Sequence, residues 1–319
     1  MGYGQMPETG IGAEDMNRKS DLTRVAVRYM AILAVLIALG ACSTLQFSYN
    51  NAEGLLRYTA WDYFDLDANQ SDSLQQRFVR LREWHRSSEL PVYVELLHTA
   101  GEKVAKGIVS ADVDWATATL RQHSRLLARR AAQDAAPVLA TLKTDQIGAL
   151  EKKLAKEELR YVDRWLSGDE KVRHRRRVER MIEQVEDWTG NLNASQRARL
   201  DDFVSSHSGI YQQRLDERRR WQREAVALIK RHRAASDLAP ALGSLFFEPE
   251  SGRAEETIIV MRRWESDLAR LVVELDSTLS GEQRGHVLRR LETFAADFRA
   301  LAGVRRASSD DAAIRAPGS

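Results

Sequence analysis

MRRWESDLARLVVELDSTLSGEQ, residues 261–283, carries the pattern that decides the fold. Met261, Trp264, Leu268, Leu271 and Leu275 recur at steps of three and four, which gathers them on one face of an α-helix. Leu279-Ser280-Gly281-Glu282-Gln283 then opens a second helix. The Ser280 hydroxyl can accept from the orphan N–H groups of the first turn, and the Gln283 amide can reach back to the cap. Leu279 stands where a hydrophobic staple belongs.

The same signature occurs three more times, as Leu66-Asp67-Ala68-Asn69-Gln70, Leu142-Lys143-Thr144-Asp145-Gln146 and Leu192-Asn193-Ala194-Ser195-Gln196. Asp67 and Asn193 are capping residues, whereas Lys143 is not, so Thr144 is the expected cap of that copy. The spacings are unequal, which excludes a solenoid of fixed period and reads as a set of well-made helix starts.

Helical spacing covers most of the remaining chain: Leu74, Phe78 and Leu81; Ile147, Leu150, Leu154, Tyr161 and Trp165; Val178, Met181, Val185 and Trp188; Val287, Leu291, Phe294, Phe298 and Leu301. No period-two run bounded by turn residues stands out. The fold class expected is all-α, with about nine to eleven helices in antiparallel hairpins and bundles. Pro91 fits the first turn of a new helix, Gly107 to Asp112 a turn and cap, and Ser167-Gly168-Asp169 a stop followed by a new cap. Residues 237–253 hold two prolines and two glycines and are the expected hinge, and the small, polar stretch 303–319 is expected to be disordered.

With 319 residues, 43% hydrophobic and 29% charged, the chain can bury a sizeable core. Its 48 basic and 46 acidic residues argue against a dedicated nucleic-acid binder. The single cysteine, Cys42, rules out an internal disulfide framework or a thiolate metal site.

Cys42 has a telling position. Residues 29–41, YMAILAVLIALGA, form an apolar run too short to span a bilayer comfortably, preceded by Arg18, Lys19, Arg24 and Arg28. The run ends at Leu39-Gly40-Ala41-Cys42, which resembles the lipobox of bacterial lipoproteins. That resemblance implies a signal peptide over 1–41, a covalent lipid on Cys42 as the one attached group, and a helical envelope domain over 42–302. Ser43 leans towards the outer membrane, facing the periplasm. Residues 1–15 are a poor signal start, so Met16 is the expected first residue.

A wider resemblance rests on Tyr49-Asn50-Asn51, Asp62-Tyr63-Phe64-Asp65-Leu66-Asp67 with Gln70, Trp84-His85-Arg86 with Glu89-Leu90-Pro91 and Tyr93, Arg175-Arg176-Arg177 with Glu179-Arg180-Met181, Trp188, and Leu192 through Arg199. Together these resemble the proteobacterial lipoprotein family of unknown function 6279. The family implies an envelope lipoprotein and supplies no activity, cofactor or catalytic residue. The Leu-cap-x-x-Gln pattern is also similar, locally, to the repeats of Spy-type periplasmic chaperones.

No zinc-protease, nucleophile-elbow, P-loop or dinucleotide motif is present, so no catalytic or metal residue is nominated. The densest polar group is Trp84, His85, Arg86 and Glu89, with His85 and Glu89 four apart on one face. It reads either as a site for an anionic or glycan ligand, or as a buried helix junction with Trp84 in the core. Arg173 to Arg177 reads as a solvated face compensated by Asp169, Glu170, Glu179 and Glu183. Arg214, Arg218, Arg219, Arg220 and Arg223 lie on a stretch with an excess of positive charge, suited to lipid phosphates or an acidic envelope partner, or simply solvated. The function expected is a lipid-tethered, non-enzymatic scaffold or adaptor. A chaperone or stress sensor for unfolded clients and a cell-wall enzyme are the alternatives.

Overall fold

The computed structural model describes residues 44–247 and 252–314. The signal peptide, the Met16 start and Cys42 lie outside them. The described residues form α-helices joined by short turns, without a strand: α1 Thr44–Asn50, α2 Ala52–Phe64, α3 Ala68–Trp84, α4 Leu90–Lys106, α5 Ser110–Leu139, α6 Thr144–Trp165, α7 Glu170–Thr189, α8 Ala194–Ser206, α9 Ile210–Arg231, α10 Ala235–Phe247, α11 Glu255–Ser277 and α12 Gly281–Ile314. A π-turn, His85–Glu89, joins α3 to α4 without a break. The all-α expectation holds, and counting α3–α4 as one rod gives eleven helices among the described residues. Residues 1–51 form a unit of their own, of which α1 is the described part, and the rest of the chain forms the second.

The four glutamine motifs work in two pairs. Gln70 Oε1 accepts from the Asp67 N–H (3.1 Å), closing the capping box with the Asp67 carboxylate. Its amide then exchanges two hydrogen bonds with Gln146, at 3.1 and 2.6 Å. Each glutamine also donates to the backbone two residues before its partner's cap: Gln70 to the Thr141 carbonyl, Gln146 to that of Asp65. Gln196 and Gln283 repeat the arrangement, exchanging bonds of 3.1 and 2.9 Å and donating to the carbonyls of Thr278 and Asn191. All four glutamines are buried. A buried amide left unbonded is costly, so reciprocal pairing of four helix starts fixes two interhelical junctions.

Lys143 makes the expected departure, but Thr144 does not replace it. Lys143 N–H donates to Gln146 Oε1, while its ammonium reaches Asp67 at 3.2 Å. The core lies against the junctions. Leu142, Ile147 and Leu150 pack with Ala132, Ala136, Val226, Ile229, Leu238 and Leu242 beside the first. Leu192, Leu200, Leu271 and Leu275 pack beside the second.

The partners in the two junctions are 76 and 87 residues apart. Between them lies the same frame twice: an interrupted rod (α3–α4, then α8–α9), a return, a turn carrying Thr141 or Thr278, and a capped helix. The longer interval accommodates α10.

Two sequence expectations need correction. Residues 237–247 of the expected hinge lie in helix α10, because Leu238 and Leu242 share a face that enters the core. Pro240 sits within it. The described part of α12 runs to Ile314. The Arg173–Arg177 stretch is not wholly solvated. Arg177 is buried, lies over the Tyr211 ring at 4.2 Å and donates to the carbonyls of Trp165 and Ser208. Arg176 donates to those of Asp163 and Arg164. The two guanidiniums thus satisfy the orphan C-terminal carbonyls of α6. The Pro91, Gly107–Asp112 and Ser167–Asp169 expectations match: Pro91 is in the first turn of α4, Asp112 accepts from the Val109 N–H, and Asp169 caps α7.

Candidate functional site

At the π-turn the four residues of the Trp84–Glu89 group part company. Trp84 faces the Arg130 guanidinium of α5 at 5.8 Å. Arg86 Nε donates to the Leu301 carbonyl of α12 at 3.0 Å. Glu89 is buried and accepts from His123 Nδ1 at 2.8 Å. His85 lies near enough to feel Glu89's charge; burial lowers its pKa, and the carboxylate opposes the shift only in part.

Tyr93 stands between these groups. Its ring meets His85 edge-on at 5.6 Å, His123 at 5.5 Å and Phe298 of α12 at 5.9 Å. Beyond them a groove of about 440 Å³ runs between α4 and α5. Its walls are Tyr93, Leu96, Leu97 and Ala100 on one side, and Trp115, Ala116, Thr119, Leu120, His123, Ser124 and Leu127 on the other. Both sets follow helical spacing, and the lining is overwhelmingly apolar. Its size falls within the roughly 300–1,000 Å³ of ligand sites.

The groove exists because the hairpin arms are anchored to different neighbours. α4 packs chiefly along α12, and α5 along α10 and α3. The hairpin tip is fixed as well: the Ile108 N–H donates to the buried Asp276 carboxylate at 2.8 Å, which also holds Arg284 at 3.0 Å. Gly107 turns there at φ 92°. At that end Lys103 pairs with Asp112 at 2.6 Å and lies over the Trp115 ring. The groove is open along its length, with Leu120 on its lip 70% exposed.

The basic helix is α9, and its positive charge is met by acids from α6 and from its own sequence. Arg218 pairs with Glu157, Arg219 with Glu158, Lys230 with Glu151, and Arg220 with Glu217 and Glu224. The Arg219 hydrogen bond holds Glu158 below the usual carboxylate range. Burial alone would raise Glu217, but the guanidiniums of Arg220 and Arg253 outweigh it and lower the pKa. Arg214 lies over Trp264 at 4.2 Å, and Arg223 lines a charged cleft between α6 and α9 with Glu151, Glu158 and Lys230. The positive excess of α9 is thus set largely against α6.

The sequence reading missed His123 and the groove walls. Leu96-Leu97-Ala100 and Trp115-Thr119-His123 carry the helical spacing that marks them. Among the described residues no three His, Asp, Glu or Cys side chains converge on a common point, and no helix is long and apolar enough to cross a membrane.

No curated protein and no solved structure matches the chain. A family described as "Family of unknown function (DUF6279)" matches residues 62–256. The match takes in the π-turn, both groove walls and three of the four glutamine motifs, and it ends in α11, ahead of Gln283 and Phe298. Since it spans more than half of the 319 residues, the chain belongs to this family of unknown function.

Proposed function

We propose that the protein is a bacterial cell-envelope lipoprotein, anchored through Cys42 at the outer membrane and facing the periplasm, whose body is a non-enzymatic adaptor. Its binding element is the α4/α5 groove, and its ligand is an amphipathic helix of a partner polypeptide. The observation that carries this reading is an apolar cleft between two helices, whose lining includes His123, itself paired with the buried Glu89. A groove open along its length suits a helix laid into it, whereas a small ligand is usually enclosed on most sides. The lipobox and its charged flank support the anchor.

A photo-crosslinking residue at Leu120 in intact cells tests the reading, with Arg175 on the exposed face of α7 as control. One discrete polypeptide adduct at Leu120, lost in Leu97→Glu protein of unchanged helicity, is the expected result. A broad ladder of adducts would instead favour the chaperone reading, which the same groove could serve. Lipid adducts alone would overturn the polypeptide ligand.

A further inference from the structure

Helix α2 has two unlike faces. Its inner face is committed: Ala60 is buried, Tyr63 and Phe64 pack against the core, and Glu53 reaches Gln75 at 2.6 Å and Arg82 at 3.6 Å. Its outer face bears Leu55, Tyr58 and Trp61, three residues apart and each more than 60% exposed. The Tyr58 and Trp61 rings stand 6.5 Å apart. The acid on that face, Asp62, is joined to the largely covered Lys153 ammonium. Large apolar residues exposed in a row are uncommon on a soluble monomer.

We infer that this face lies in the headgroup–acyl boundary of the lipid bilayer, as a second attachment beside the acylated cysteine. The inference rests on the lipoprotein reading above. Three observations single out a bilayer. First, Tyr and Trp flanked by an aliphatic residue are the side chains that favour a membrane interface, where the ring is buried and the polar edge stays wet. Second, the face carries no unpaired acid, so anionic headgroups meet no repulsion, and Arg57 at its edge is exposed. Third, the chain keeps it near the anchor. From Cys42 to Leu55, with Thr44–Asn50 helical, the backbone spans at most roughly 30 Å. A rigid helix tethered that closely meets the membrane at high effective concentration. Phe47, on the intervening α1, is exposed too.

The test uses the natively processed protein, purified from membranes and reconstituted into phosphatidylethanolamine–phosphatidylglycerol vesicles. Phosphatidylcholine brominated near the top of its acyl chains quenches tryptophan at the interface. The chain has seven tryptophans, so Trp61's share is the difference between the wild type and Trp61→Phe. That share should fall by at least half with brominated lipid, and Leu55→Asp/Tyr58→Asp protein, altered only at exposed positions, should lose the effect. A Trp61 share that brominated lipid leaves unchanged overturns the inference, whether Trp61 is then open to aqueous iodide or shielded by a protein partner or second copy. The mass of the Cys42 peptide separates the two readings. Acylation without quenching leaves the anchor standing and removes the interfacial helix, and quenching with an unmodified Cys42 does the reverse.

Discussion

In the first half of the body the rod α3–α4 and the returning helix α5 stand apart around an apolar groove, while in the second half the rod α8–α9 meets its returning helix α11 directly. The frame is shared, down to the paired glutamines and the threonine-bearing turn. The filling differs. Between α9 and α11, Arg214 covers Trp264, Gln213 meets Thr257 at 3.3 Å, and Glu217 joins Arg220 to Arg253. Between α4 and α5, Tyr93 meets His123 and Lys103 pairs with Asp112, while the groove lining between these contacts includes the small residues Ala100 and Ala116. The junctions therefore set where the helices start, and the intervening side chains set how far apart they run. An open groove is thus not imposed by the frame, and that difference is the strongest argument that the groove has a use.

The largest expected effects test the shared frame. Gln196→Leu leaves the Gln283 amide, the Asn193 N–H and the Thr278 carbonyl without their partner. Gln146→Leu does the same to Gln70, Lys143 and Asp65. At ~1–3 kcal/mol for each buried polar group left unsatisfied, and with some relaxation, each variant should lose about 3–5 kcal/mol in urea melts. The comparison predicts similar losses. A loss below about 1 kcal/mol at one junction alone would break it.

The difference between the halves can be inverted. Trp264→Ala should open the second half at a cost of about 2–3 kcal/mol, discounted from the ~3–5 of a fully buried tryptophan because Trp264 is only half-buried. It should also create a site for an environment-sensitive apolar dye. Ala116→Leu should fill the groove of the first half, abolish dye binding there and shift stability by no more than about 1 kcal/mol. If dye binding is untouched by Ala116→Leu, the groove is not the exposed apolar site.

What the sequence disclosed and what it hid divide along the same line. Caps are local, so Asp67, Asn193, Ser280 and their glutamines were readable at a spacing of three. Their pairing across 76 and 87 residues was not, because each cap is already complete without its partner. The groove was hidden for a related reason. Leu96, Leu97 and Leu120 look like any buried helix face, and only the competing pull of α12 on α4 and α10 on α5 leaves Leu120 exposed and Leu96 and Leu97 half-buried. The basic helix shows the converse: its charge excess is real in sequence, and the glutamates of α6 that meet it lie 61 to 79 residues away. His85 and Glu89 were found, but the donor that completes Glu89, His123, sits 34 residues on.

A smaller effect concerns acid. Burial lowers the His85 pKa, with Glu89 opposing only in part. The unfolded imidazole titrates near ~6.5. As pH falls through that value, the unfolded chain binds a proton that the folded chain refuses, so stability is lost on acidification and is unaffected well above neutrality. His85→Phe should flatten this part of the curve between pH 7.5 and 5, read as the difference between the two proteins' urea midpoints. The loss should concentrate in the first half, and hydrogen exchange of α4 against α9 would show it. Equal acid sensitivity of both helices would assign the effect to other groups.

The smallest effect tests the one flaw in the fourfold pattern. Three copies have a capping side chain, and Lys143 leaves the start of α6 with only the Gln146 half of the box. Lys143→Asn supplies the missing acceptor for the Gln146 N–H, worth ~0.5–1 kcal/mol at a typical cap. The substitution also removes the Lys143–Asp67 ion pair, but both partners are well exposed, and such a pair contributes only a few tenths of a kcal/mol. Asparagine is the better choice than aspartate because a second carboxylate would face Asp67 without the ammonium between them. The net gain should therefore be about 0.5 kcal/mol, measurable as a small rise in the urea midpoint at constant slope. A loss instead would mean that the lysine, by spanning from one helix start to the other, contributes more to the first junction than a cap can return, and the two junctions would then be held by different means.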